Sequence, residues 1–218
     1  MKKIAYILLL SIVLLSYCLP CSAETLYAER IDVLDEFVGT LSEEQQKLFT
    51  DDFVLELVKT CSENELNVWF VLGVIQAESS FNADARAYDG SNHYGLMQLS
   101  TKYFELEDYF DPVENMQKGC EYIKSLWEET KNYRCITKQN FEYAHELFVT
   151  TAYNKGLGNA IDIWKAEDFR YETGITDYSK KIIQFMKSKE KKFGKINCKE
   201  ILENRKKIYK ISKYCKFL

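Results

Sequence analysis

From Leu66 to Ala77 the chain runs through twelve residues of which only Asn67 and Gln76 are polar, and it ends on Glu78. A segment of this kind must be buried. Val71, Val74, Ile75 and Glu78 stand at i, i+3, i+4 and i+7, which places them on one face of a helix. Ser62 with Glu65 three residues later has capping-box spacing and predicts the helix start there. Glu78 then closes an apolar stripe. Burial disfavours the charged form of a carboxyl and raises its pKa. A carboxylic acid still protonated near neutrality is what glycosidic cleavage needs, because the leaving oxygen must receive a proton. A lone Glu at a helix end is more often a solvated surface residue, so the assignment depends on its companions.

The rest of the chain also reads as helix. Among 218 residues there are 2 Pro and 9 Gly, too few breakers for a turn-rich β fold. Residues 24–60 form a mixed lead-in, with Ile31, Leu34, Phe37 and Val38 at helical spacing and Phe53, Leu55 and Val58 more loosely so. Residues 82–94 are polar and turn-like, which leaves room for a small irregular or hairpin insert within 82–100. Asp111-Pro112-Val113-Glu114 is a helix start, with an N-cap Asp, Pro in the first turn and Glu at the third position. Tyr122, Ile123, Leu126 and Trp127 follow on one face. A helix near 140–154 carries Phe141, Ala144, Phe148, Val149 and Ala152, and Gly156 and Gly158 break it. A last helix starts near Asp177, carries Ile182, Phe185 and Met186, and becomes Lys-rich. The expected fold class is all-α.

The companions of Glu78 lie in order along the chain: Ser79, then Phe81-Asn82 and a polar loop, then Gly95-Leu96-Met97-Gln98-Leu99, then Ala152-Tyr153-Asn154-Lys155-Gly156-Leu157-Gly158-Asn159. A weaker pattern sits between them at Asp111, Pro112, Asn115, Gly119 and Tyr122. With these motifs, over roughly residues 62–190, the chain resembles the soluble lytic transglycosylase (SLT) family of the lysozyme-like superfamily. The resemblance implies a lysozyme-like domain at 61–190, preceded by a helical lead-in at 24–60 and followed by a basic helical extension at 191–218. It implies Glu78 as general acid and then base, and Ser79 in the sugar-binding shell beside it. Gly95 would let the backbone approach the substrate, Met97 would pack beneath the cleft, and Gln98 would bond the sugar or its N-acetyl group. Tyr153 would place its hydroxyl near the carboxylate, with Asn154 steadying that corner, and Tyr178 resembles a further Tyr of the family's last helix. The stretch from Glu78 to Gly95 is about two residues longer than in common members, and it carries Asp89-Gly90-Ser91-Asn92-His93.

The implied activity is cleavage of the MurNAc-GlcNAc β-1,4 bond of peptidoglycan, with a 1,6-anhydro-muramic acid end as product. Two-carboxylate glycosidases hold their carboxyls about 5–5.5 Å or about 6.5–9.5 Å apart, whereas the family acts with one. Asp84 and Asp89 lie in the loop, and a hydrolytic lysozyme using either is the first alternative, although Asx residues in such loops are usually turn formers. A non-catalytic glycan-binding scaffold is the alternative of another class. No cofactor is expected. His145-Glu146 lacks the second His of the zinc helix motif, because Val149 stands in its place, so no metal is expected either. Gly156-Leu157-Gly158 lacks a third glycine and a P-loop lysine. No nucleic-acid partner is implied.

Lys2 and Lys3, the apolar run Ile4–Leu15 and the small residues Cys21-Ser22-Ala23 have the layout of a secretory signal peptide cleaved after Ala23, with an uncleaved anchor as the alternative. Export to the periplasm, envelope or exterior follows. The formal net charge of −4 is uneven: residues 178–218 hold 14 Lys/Arg and 3 Asp/Glu. Such a tail suits contact with anionic wall polymers or lipid head groups, or else it is a solvated helix. Of 7 cysteines, Cys61, Cys120, Cys135, Cys198 and Cys215 lie beyond Ala23. Export permits disulfides, and the near-neighbour pairs are Cys120 with Cys135 and Cys198 with Cys215.

Overall fold

The computed structural model describes residues 33–139, 141–166 and 175–215, with side chains to residue 207. The segments expected to be a signal peptide and the end of the basic tail lie outside them. The chain divides into two compact units. One comprises residues 1–40 and 199–218; its described parts are a short helical segment at 33–38 and most of a helix that begins at Cys198.

The other unit, Leu41–Cys198, holds the candidate site. Its helices are α1 (Glu43–Gln46), α2 (Asp51–Glu63), α3 (Val68–Ser79), α4 (Pro112–Thr130), α5 (Arg134–Thr137), α6 (Ala144–Lys155), α7 (Leu157–Lys165) and α8 (Asp177–Phe193). A short antiparallel hairpin, β1 (His93–Tyr94) and β2 (Leu99–Ser100), interrupts them, with Tyr94 opposite Leu99 and a further bridge from Arg86 to Tyr94. The all-α expectation holds, and the hairpin falls inside the 82–100 insert.

Helix α3 is the core. Every residue from Val68 to Ile75 is buried, so its apolar side chains find partners all round rather than along one stripe. It does not begin at Ser62. The preceding helix α2 runs to Glu63 and ends in a Schellman motif: Leu66 N–H donates to Cys61 C=O at 2.9 Å and Glu65 N–H to Ser62 C=O, with Glu65 at φ +55°. The cap of α3 is Asn67, whose Oδ1 accepts from Trp69 N–H at 2.8 Å. The Ser62–Glu65 spacing imitated a capping box while belonging to a helix end. The start at Asp111 is as expected: Oδ1 accepts from Glu114 N–H at 2.7 Å, and Pro112 needs no partner for a missing N–H.

The pairing of α3 with α8 positions the site. Gly73 lets the two backbones close, because a Cβ there would meet the Ile182 carbonyl at 3.2 Å and the Phe185 ring at 3.3 Å. At the start of α3, Trp69 Nε1–H donates to Gly194 C=O at 2.8 Å and Asn67 donates to Glu190 at 2.6 Å. The helices therefore run antiparallel, and the end of α3 lies against the start of α8.

The expected cysteine pair Cys120–Cys135 is not made: Cys61, Cys120, Cys135 and Cys198 are all free, buried thiols. Cys120 sits on α4 and Cys135 on α5, each within its own packing, and proximity in sequence did not become proximity of sulfurs. The side chain of Cys215 lies outside the described residues. Among the described residues, no helix is long and apolar enough to cross a membrane.

Candidate active site

Glu78 stands in the last turn of α3. Burial pushes its carboxyl up to about 7, against one opposing effect, a hydrogen bond from Tyr178 that favours the charged form. The Tyr178 hydroxyl donates to Glu78 Oε1 at 2.5 Å. Tyr178 is held in the first turn of α8 by a hydroxyl network. Thr176 Oγ1 caps the helix by accepting from Ser179 N–H at 3.2 Å, and the buried Ser179 hydroxyl meets Thr176 at 2.8 Å and Thr151 of α6 at 3.0 Å.

The Tyr153 hydroxyl donates to Met97 C=O at 2.8 Å rather than to Glu78. It is still electrostatically close: burial pushes both Tyr153 and Tyr178 well above the ordinary phenol range, and the Glu78 charge adds to each. Tyr153 thus fastens the hairpin turn, while Tyr178 addresses the carboxylate. The Tyr122 ring packs on Tyr153 at 5.5 Å and on Phe104 at 5.2 Å.

The turn Gly95–Gln98 is locked from below by α4. Buried Asn115 accepts from Met97 N–H at 2.7 Å and donates to Tyr94 C=O at 3.1 Å and Tyr109 C=O at 3.0 Å. Gly95 takes φ +76°, and a Cβ there would lie 2.0 Å from the Tyr109 carbonyl, so its bare Cα faces protein. Gly119 makes room for buried Met97, whose sulfur would stand 2.4 Å from a Cβ. Gln98, at φ +50°, donates its amide to Gly95 C=O at 2.9 Å and Ala85 C=O at 3.1 Å. Ser79 donates back to Ile75 C=O at 3.1 Å, and Asn154 is exposed on α6.

Asp84 and Asp89 are both exposed. The Asp84 N–H takes part in a turn closed by Asn82 Oδ1 at 3.0 Å. Hydrogen bonds from Ser91 hold the Asp89 carboxyl below the usual range. Among the described residues, no carboxylate contributes to the rise at Glu78, and no His/Cys/Asp/Glu group is arranged to hold a metal.

A family model of the transglycosylase SLT domain matches residues 59–175, more than half of the chain. The chain belongs to the transglycosylase SLT family. The matched span holds Glu78, the Gly95–Gln98 turn, Asn115, Gly119 and Tyr153; Tyr178 lies just beyond it. Among solved structures, the chain is similar to an inactive mutant of lytic transglycosylase Slt from Pseudomonas aeruginosa, at 19% identity and a TM-score of 0.45, over 62% of this chain and 23% of that one. The SLT chain therefore spans about a quarter of that protein's length. No curated protein matches it in sequence.

Sequence reasoning assigned no site role to Thr151 or Ser179, since hydroxyls within helices carry no spacing signal of their own, and the Ser42–Gln45 capping-box spacing marks a helix start but not the reach of Gln45 to Ser80. Asn115 and Gly119 were visible as part of a pattern, without the reason for it.

Proposed function

We infer that this SLT protein cleaves peptidoglycan glycan strands as a lytic transglycosylase, using Glu78 as its one catalytic carboxylate. The observation that carries the reading is the part-buried Glu78 carboxyl, pushed up to about 7 by desolvation with no contribution from another described carboxylate. Protonated, Glu78 gives its proton to the glycosidic oxygen. The carboxylate left behind is favoured by the Tyr178 hydrogen bond and takes a proton from the 6-hydroxyl of the muramic acid. That oxygen closes on the anomeric carbon, supported by the substrate's own N-acetyl carbonyl, and yields the 1,6-anhydro end with no net water. Gln98 keeps its Oε1 for a donor on the sugar, Ser79, Asn154 and Tyr153 shape the wall, and the buried Gly95 and Met97 support that wall from behind. Work on the cell wall requires export, which fits a cleaved segment 1–23. The Lys-rich segment after residue 177 suits contact with anionic wall or membrane surfaces.

The test is mass spectrometry of the products released from peptidoglycan by residues 24–218 and by the Glu78→Gln variant. Anhydro-ended muropeptides, absent with the variant, are the expected result. Products one water heavier would move the assignment to a lysozyme, and no product from either protein would favour a binding scaffold.

A further inference from the structure

The turn directly after Glu78 is backbone-strained. Ser80 and Phe81 both take left-handed φ values, +54° and +66°, a conformation that L-residues disfavour and that persists only where neighbours hold it. Two neighbours do so here, and both come from the lead-in, outside the span matched by the family model. Gln45 Nε2–H donates to Ser80 C=O at 3.1 Å. The Phe49 ring stands edge-on to the buried Phe81 ring at 5.5 Å and to Phe53 at 5.8 Å. Beyond those contacts, a groove of about 540 Å³ lined by Lys47, Ser80, Asn82 and Pro112 separates the lead-in from the turn.

We propose that Gln45 is a positioning residue: with Phe49 beside it, it holds the Ser80–Phe81 turn and so fixes the end of α3, and with it the Glu78 carboxyl, against Tyr178. The inference rests on reading Glu78 as the catalytic acid. Gln45 is built for the task. Its Oε1 accepts from the Ser42 N–H at 3.1 Å in a capping box that fixes α1, which leaves Nε2 free to reach Ser80. Release of the turn frays the last turn of α3 and admits water to the carboxyl, which removes the larger of the two effects on its pKa. The ionisable groups that face Glu78 are Tyr178 from α8 and Tyr153 from α6; neither is altered by a change at Gln45.

The full chain is compared with two variants. Gln45→Met keeps the side-chain length and loses both the donor to Ser80 and the capping acceptor for Ser42. Ser42→Ala loses the capping hydroxyl and keeps the donor, so it controls for loosening of α1 alone. Activity on peptidoglycan and an NMR titration of the Glu78 carboxyl carbon are measured for each. In Gln45→Met, kcat is expected to fall roughly tenfold with KM little changed, since small misplacements of an acid are costly, and the Glu78 midpoint is expected to drop from about 7. Ser42→Ala should leave both near the parent. A Gln45→Met variant that titrates and turns over like the parent overturns the proposal, as does a Ser42→Ala variant that reproduces its effects. The titration needs no turnover. A parent that releases no product, but whose Glu78 midpoint moves in Gln45→Met, would remove the assigned reaction and leave the positioning role standing.

Discussion

Tyr178 donates a 2.5 Å hydrogen bond to Glu78 across 100 residues of sequence, from the first turn of α8 to the last turn of α3. The bond favours the carboxylate, while burial favours the acid, and the balance stands at about 7. A group that must first give and then take a proton works best with a pKa near the working pH.

Tyr178→Phe removes the only effect found to oppose burial at Glu78. The Glu78 midpoint should therefore rise above about 7, and the alkaline limb of the pH–activity profile should move to higher pH. Activity at the optimum should fall about tenfold, as expected for loss of a hydrogen bond to a charged group. A limb that stays in place or moves to lower pH would show that Tyr178 does not act on the carboxyl.

Glu78→Gln should abolish cleavage and stabilise the fold at alkaline pH. The folded-state pKa of about 7 lies above the ordinary 4.5. Below about pH 4.5, folded and unfolded chains both hold the proton and the group contributes nothing. Between about 4.5 and about 7 the folded chain keeps a proton that the unfolded chain has already released, so stability falls across that window by at most about 3 kcal/mol and levels off above it. Thermal melts of the two proteins should coincide near pH 4 and separate by pH 8, with the variant higher. Parallel curves across that range would contradict the burial of the carboxyl.

Gly119→Ala should destabilise the fold by about 1–3 kcal/mol in urea titration, because the new methyl drives Met97 off its seat in a packed core. Met97→Ala also costs stability, through a cavity. The double variant should cost less than the sum, since each change relieves the other's fault. Strict additivity would mean that the two side chains do not meet.

Asp84→Asn and Asp89→Asn should each keep kcat within about twofold, the range expected where a removed charge touches nothing in the transition state. Loss of more than about a hundredfold in either variant would identify a second catalytic carboxylate and turn the reading toward a hydrolase.

The primary sequence by itself determined the helical architecture, the burial of the Leu66–Ala77 segment and the presence of a carboxyl at its end. These follow from local rules: a dense apolar run must find a core, Asp111-Pro112 starts a helix, and scarce breakers leave helices long. It also marked the Gly95–Gln98 turn and Tyr153 through their motifs. Tertiary structure alone decided what each of them touches. Tyr178 reaches Glu78 because Gly73 lets α3 and α8 close and because Trp69 and Asn67 fix their antiparallel register. Gly95 and Gly119 are glycines because of what the fold brings against them, the Tyr109 carbonyl and the Met97 sulfur. The helix start at Asn67 rather than Ser62, and the unpaired Cys120 and Cys135, likewise depended on which groups the packed chain brought within reach. Spacing along a chain sets which face a residue shares. Hydrogen bonds and van der Waals contacts act over only a few ångströms, so the partners on that face are chosen when distant segments pack.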